Sequence, residues 1–161
     1  MLHTEMFLIF VYGTLKINQP NHYLMLDPAN GASRFIRNGT TDDKYPMVMG
    51  TRYNIPFLVD LKDVGLNING EIYEVDEQML ARLDEFEGHP HYYLRKQIAV
   101  KSDDGKQYLC WTYLLTKYPE DFLKDRVFLA SYENNAEFPY IKPSDRPSNG
   151  PKPSEDLDYR P

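Results

Sequence analysis

"FLIFVYGTLK", residues 7–16 of this 161-residue chain, decides how the fold is read. Six apolar or aromatic residues follow one another with no polar residue between them, and then the run stops at Gly13 and Thr14. A strand with one wet face alternates apolar and polar residues, whereas a strand buried on both faces does not. The run is also much shorter than the roughly 18 apolar residues that cross a membrane as a helix. Residues 6–12 therefore read as a central buried strand, and the abrupt glycine suggests that the backbone just beyond it is put to use.

Outward from this strand, the pattern stays rich in β-formers. Residues 68–75, "INGEIYEV", alternate and read as a strand. Residues 91–102 and 106–115 are two more strands, joined by "DDG", a strong hairpin signal. Shorter strand candidates lie at 34–40 and 57–61, in a region broken by Gly and Pro. Residues 76–88, "DEQMLARLDEFEG", read as a helix with Asp76 as N-cap and Gly88 as its stop. A short helix over 19–26 and a second longer one over 119–132, starting at Pro119, complete the expected elements. Strands outnumber helices and no β-α-β alternation is present. The expected class is α+β, with a mainly antiparallel sheet; the pattern alone leaves open whether that sheet closes into a barrel. One domain over 1–143 is expected, followed by a Pro- and Ser-rich tail, 144–161, that is extended or disordered.

Composition narrows the function. The 13 tyrosines and 8 phenylalanines suit a pleated, half-buried surface. The net charge is −6 and no basic run exceeds two residues, which argues against nucleic acid as a partner. No membrane segment is expected. The single cysteine, Cys110, cannot form an internal disulfide, and "MLHTEM" lacks the basic region of a signal peptide. Both point to a cytoplasmic protein.

Three places carry candidate chemistry. On the 76–88 helix, at about 100° per residue, Met79, Leu80, Leu83 and Phe86 share one arc; Glu87 falls inside it and Glu85 lies opposite. Glu87 is thus aimed inward, unless the helix frays there and turns it to solvent. An inward Glu87 would have its pKa raised by burial and by the negative helix end, which suits a general base near neutral pH. At the end of the first strand, Gly13 permits unusual φ and close approach, so the amides of Gly13, Thr14 and Leu15 could form an anion nest; the alternative is that Gly13 simply ends a strand. The pair Tyr92 and Tyr93 reads as sheet packing, with one ring free to line a pocket. His89 and His91 lack the further ligands of a metal site and read as loop residues. Cys110 reads as a buried, inert thiol.

In combination, "VYGTL" at 11–15, "NIPFL" at 54–58, "GEIYEVD" at 70–76 and "LDEFEG…YYLR" at 83–95 resemble the γ-glutamyl cyclotransferase-like family. "KINQPNHYLML" and "KYPMV" are closer to its γ-glutamylamine cyclotransferase branch. The resemblance implies a mixed, mainly antiparallel β-barrel with flanking short helices, a catalytic Glu87, and a substrate loop of Tyr12, Gly13, Thr14 and Leu15. It also implies that Ile55 and Tyr93 contact substrate, and it allows a cis Ile55–Pro56 bond. The implied partner is a small γ-glutamyl compound. Its tethered α-amine attacks its own side-chain amide, forming 5-oxoproline and releasing an amine. That reaction needs no metal and no cofactor. The resemblance leaves open a preference for free γ-glutamyl amino acids, or a non-enzymatic module that binds the same ligands.

Overall fold

The computed structural model describes residues 5–161. Strand β1 (Met6–Val11) lies in a closed five-stranded barrel with β2 (Ser33–Tyr45), β5 (Leu66–Asp76), β6 (Tyr93–Ser102) and β7 (Gln107–Leu115), in the order β1-β5-β2-β6-β7. All pairings are antiparallel except β1 with β7, where Ile9 faces Trp111 in parallel. The class is the expected one: α+β around a mixed, mainly antiparallel barrel. A second sheet pairs β3 (Met47–Gly50) with β4 (Ile55–Leu58) and touches the barrel through a Val59–Leu115 bridge.

The burial of β1 explains its sequence. Ile9 and Val11 enter one hydrophobic cluster, with Val75, Met79 and Leu83, while Phe10 enters another, with Ile72, Ile98 and Val100. Successive side chains on a strand point to opposite faces, so two cores require an unbroken apolar run. The double burial is complete only from Ile9 onward, since Met6 at the start is exposed.

Helix α2 (Glu77–Glu87) forms where the caps predict it. The Asp76 side chain accepts the Met79 N–H at 2.9 Å, and Gly88 ends the helix at φ 68°, in the left-handed region that glycine enters freely. Met79, Leu80 and Leu83 are buried, and Glu85 is exposed. The hairpin between β6 and β7 also forms, with Gly105 at φ 87° in its turn.

Three expectations are corrected. The helix expected over 119–132 is a run of turns: the N–H groups of Phe122, Lys124 and Arg126 each bond three residues back, and Asp125 sits at φ 58°. Sheet edges win over local propensity here. The Leu129 N–H donates to the Met47 carbonyl, and the Ala130 carbonyl accepts the Asn69 N–H. The helix expected over 19–26 shrinks to α1 (Tyr23–Leu26), because the Asn21 N–H is drawn to the Thr14 carbonyl and Asn18 adopts φ 68°. The Ile55–Pro56 bond is trans; the cis bond among the described residues is His89–Pro90. An extended trans backbone at Pro56 keeps β4 in register with β3, where Pro56 faces Met49.

Residues 144–161 run extended with two short 3₁₀ turns and lie against the body of the protein. Asp156 accepts from the backbone and the guanidinium of Arg52, at 2.9 to 3.0 Å, and Arg126 donates to the carbonyls of Leu157 and Tyr159.

Candidate active site

Glu87 is the last residue of α2, and it lines a pocket together with Tyr12, Gly13, Thr14, Leu15, Ile55 and Tyr93. All seven residues singled out in the sequence are therefore in one place. The loop after β1, the start of β4, the end of α2 and the start of β6 each supply part of the wall.

The three acids of "DEFE" are sorted by their surroundings. Asp84 is neutralised: Arg95 grips both its oxygens, at 2.9 and 3.2 Å, and the Tyr113 hydroxyl donates to it at 2.6 Å. The Arg95 guanidinium is itself fixed 4.5 Å above the Trp111 ring. Glu85 faces solvent. Glu87 has no such partner among the described residues, and burial alone pushes its carboxyl up to about 8. Desolvation penalises the charged form, so this acid can hold or release a proton near neutral pH. Its side chain stays half-buried, open towards the pocket.

Gly13 serves close approach, not unusual φ. It is absent from the positive-φ residues, and a Cβ there would lie 3.0 Å from Pro56 Cγ. The sequence expectation of an unusual φ is thus corrected: β1 ends at Val11, and the bend at Gly13 passes close against the β4 proline. Among the described residues, no protein acceptor takes the N–H groups of Gly13, Thr14 and Leu15. The loop is held by its outer groups instead. Lys16 N–H donates to the Gly13 carbonyl at 3.1 Å, and buried Asn21 bonds both the Thr14 hydroxyl and, at 3.0 Å, the Tyr140 hydroxyl.

Tyrosines surround Glu87. The Tyr12 hydroxyl donates to the Tyr113 carbonyl at 2.6 Å, and burial, then the Glu87 charge, keeps it protonated. Burial does the same for Tyr93. The Tyr92 hydroxyl is buried with no hydrogen-bond partner among the described residues, and burial followed by the Glu87 charge holds its proton. Of the paired tyrosines, then, both line the pocket, although the sequence singled out only Tyr93. Sequence reasoning also missed Asn21, Tyr140 and Arg146. The last two come from the chain beyond residue 139, where no periodicity marks them.

The remaining candidates play other parts. The His89 Nδ1 accepts the Arg95 N–H at 2.9 Å, which ties the loop after α2 to β6. Cys110 is fully buried and its thiol is pushed up to about 12 by burial, so it is an inert core residue at neutral pH. Among the described residues, no helix is long and apolar enough to cross a membrane.

A tyrosine-lined pocket at the end of a barrel strand, with a half-buried glutamate that has no partner among the described residues, defines a small-molecule site on a mixed barrel. The comparisons specify the family. Residues 9–134 match the sequence model of the family described as "Gamma-glutamyl cyclotransferase, AIG2-like", and the chain belongs to that family. It is 41% identical over 133 residues to the Gamma-glutamylaminecyclotransferase of Rattus norvegicus, covering 78% of this chain and 87% of that one. It is 43% identical over 152 residues to the Troponin C-akin-1 protein of Drosophila melanogaster, covering 94% and 90%. The crystal structure of an AIG2-like protein from Mus musculus superposes with a TM-score of 0.83 at 38% identity, over 88% of this chain and 99% of that one.

Proposed function

We propose that this chain is a γ-glutamylamine cyclotransferase that releases 5-oxoproline and a free amine, with Glu87 as the general acid and base. The observation that carries the reading is the half-buried Glu87 carboxyl, without a partner among the described residues, in the same pocket as the unsatisfied amides of Gly13, Thr14 and Leu15. The name of the rat relative supports the same substrate class.

The reaction balances within the substrate and one carboxyl group. Ionised Glu87 takes a proton from the α-ammonium of the γ-glutamyl group. The freed amine attacks the γ-carbonyl carbon, forming the C–N bond of the five-membered lactam. The carbonyl oxygen becomes an oxyanion, and backbone N–H groups can stabilise it there at no cost in reorganisation. Glu87 then gives its proton to the departing nitrogen as the old amide C–N bond breaks, and takes the second proton that the ring nitrogen must shed to become the lactam N–H; that proton passes to the freed amine, which leaves as an ammonium. Because nucleophile and electrophile are tethered, the site has only to hold one conformer and relay two protons, one at a time, from the α-nitrogen to the leaving nitrogen. A pKa near 8 suits both halves of that transfer. The loop amides of residues 13–15 also hold the glutamyl carboxylate, Ile55 and Tyr93 pack the substrate, and Tyr12 orders the wall behind it. A cytoplasmic location belongs to the same proposal, supported by a single cysteine that is fully buried.

Incubation with γ-glutamyl-ε-lysine and with γ-glutamyl-alanine, reading 5-oxoproline by mass spectrometry, tests the proposal. The expected result is product from the lysine isopeptide at the higher rate. Binding of either compound without 5-oxoproline would reduce the protein to a binding module, and a preference for the alanine compound would move it to free γ-glutamyl amino acids.

A further inference from the structure

The tail reaches the pocket. Tyr140, Pro143, Arg146 and Pro153 all line it. Arg146 is the one cationic side chain in that lining among the described residues. Its guanidinium is held in place from several sides: 4.8 Å over the Tyr53 ring, 5.7 Å over the Tyr140 ring, with Nε donating to the Ile141 carbonyl at 2.9 Å and Nη2 to the Tyr140 hydroxyl at 3.3 Å. The segment that carries it is pinned on both sides. The Ile141 N–H donates to the Tyr53 carbonyl at 3.0 Å, and Asp156 pairs with Arg52.

What Arg146 does not have is an acid. Arg34, Arg37, Arg52 and Arg95 each pair with a carboxylate, and Arg126 is taken up by backbone carbonyls. Among the described residues no carboxylate lies within ion-pair distance of Arg146. An arginine offers five N–H donors, and the two contacts above leave the Nη1 pair free. A guanidinium fixed by aromatic faces and left unneutralised in a pocket wall is suited to a planar anion from outside the chain, a carboxylate above all.

We infer that Arg146 is a specificity residue that binds a carboxylate on the leaving amine. This rests on the cyclotransferase reading above. That substrate class has one carboxylate on the glutamyl half and, when the amine is an amino acid, a second on the leaving half. The glutamyl carboxylate is one carbon from the α-amine that Glu87 serves, so it belongs beside Glu87 and the 13–15 amides. Arg146 sits between two exposed stretches, 143–145 and 147–149, at the rim where the departing group emerges. The pocket therefore favours γ-glutamyl amides of amino acids over those of simple diamines.

Two substrates isolate the contact, because γ-glutamyl-ε-lysine and mono-γ-glutamyl-1,5-diaminopentane differ only in the lysine carboxylate. The full chain should turn over the lysine compound with the higher kcat/KM. Arg146→Gln should lose about tenfold to a hundredfold on that compound, through KM, the scale of a hydrogen bond to a charged group. It should leave the diaminopentane compound within about twofold. Arg146→Lys keeps the charge and should recover part of the preference. Melting curves on each preparation confirm that the variants fold. Equal losses on both substrates would assign Arg146 to the glutamyl half or to packing, and no loss on either would remove it from the site; each overturns the inference while the cyclotransferase reading stands. Absence of 5-oxoproline from both substrates with the unaltered chain would overturn that reading, and the inference with it.

Discussion

Replacing Glu87 by Gln should make the folded protein more stable at high pH. The amide has nearly the same shape as the carboxyl but never ionises. Burial moves the Glu87 carboxyl from 4.5 to about 8. At 1.36 kcal/mol per pH unit, that shift makes ionisation about 5 kcal/mol more costly in the folded chain than in the unfolded one. Below pH 4.5 both states carry the proton and the cost is absent. Between 4.5 and 8 the unfolded chain is ionised while the folded one still holds its proton, so stability falls as pH rises, and above 8 the full cost is present. The carboxyl is half-buried and open to the pocket, and solvent there should screen roughly half of the cost, leaving about 2–3 kcal/mol. For a chain of this length, that corresponds to a rise in melting temperature of about 5–10 °C. Thermal melts of both proteins at pH 9 and pH 4.5 supply the measurement, with other titrating groups cancelling in the difference. The variant should melt higher at pH 9 and within about 1 °C at pH 4.5. An equal difference at both pH values, or a lower melting point at pH 9, would show that the carboxyl is not desolvated.

Two further outcomes are expected. Since the base must be ionised in the free enzyme, kcat/KM should rise with pH and level off above about 8, so a rate already flat from pH 5 would separate the rate-limiting proton transfer from Glu87. Gly13→Val adds a side chain against Pro56 in the pocket wall, so inhibition by 5-oxoproline should weaken by more than about tenfold, with only a modest change in melting temperature; unchanged inhibition would take the 13–15 loop out of the mechanism.

Where sequence and structure agree, the signal is local and overdetermined. The β1 run has to be apolar throughout because Ile9 and Phe10 serve different cores. Helix α2 has a cap residue at each end and a buried stripe between them, which is why a helical wheel places Glu87 correctly among three neighbouring acids. The same signals fail when the partner is distant in sequence. "PEDFLKDRVFLASY" has the composition of a helix, yet its backbone groups are claimed by Met47 and Asn69. Arg146 stands in a Pro-rich stretch with no periodicity, and its place in the pocket follows from contacts to Tyr53 and Tyr140 that no local pattern announces. Gly13 was legible as a special position but not for its reason, because the close neighbour, Pro56, lies on another strand.

The central claim is that Glu87, and not another acid of α2, moves the proton. Formation of 5-oxoproline from γ-glutamyl-ε-lysine by Glu87→Gln and by Glu85→Gln, each at saturating substrate, tests it most directly. Glu87→Gln should keep its fold and lose at least about two orders of magnitude in kcat, the scale of a lost general base, while Glu85→Gln, on the exposed face, stays within about twofold. Equal losses in the two variants, or full turnover by Glu87→Gln, would contradict the account.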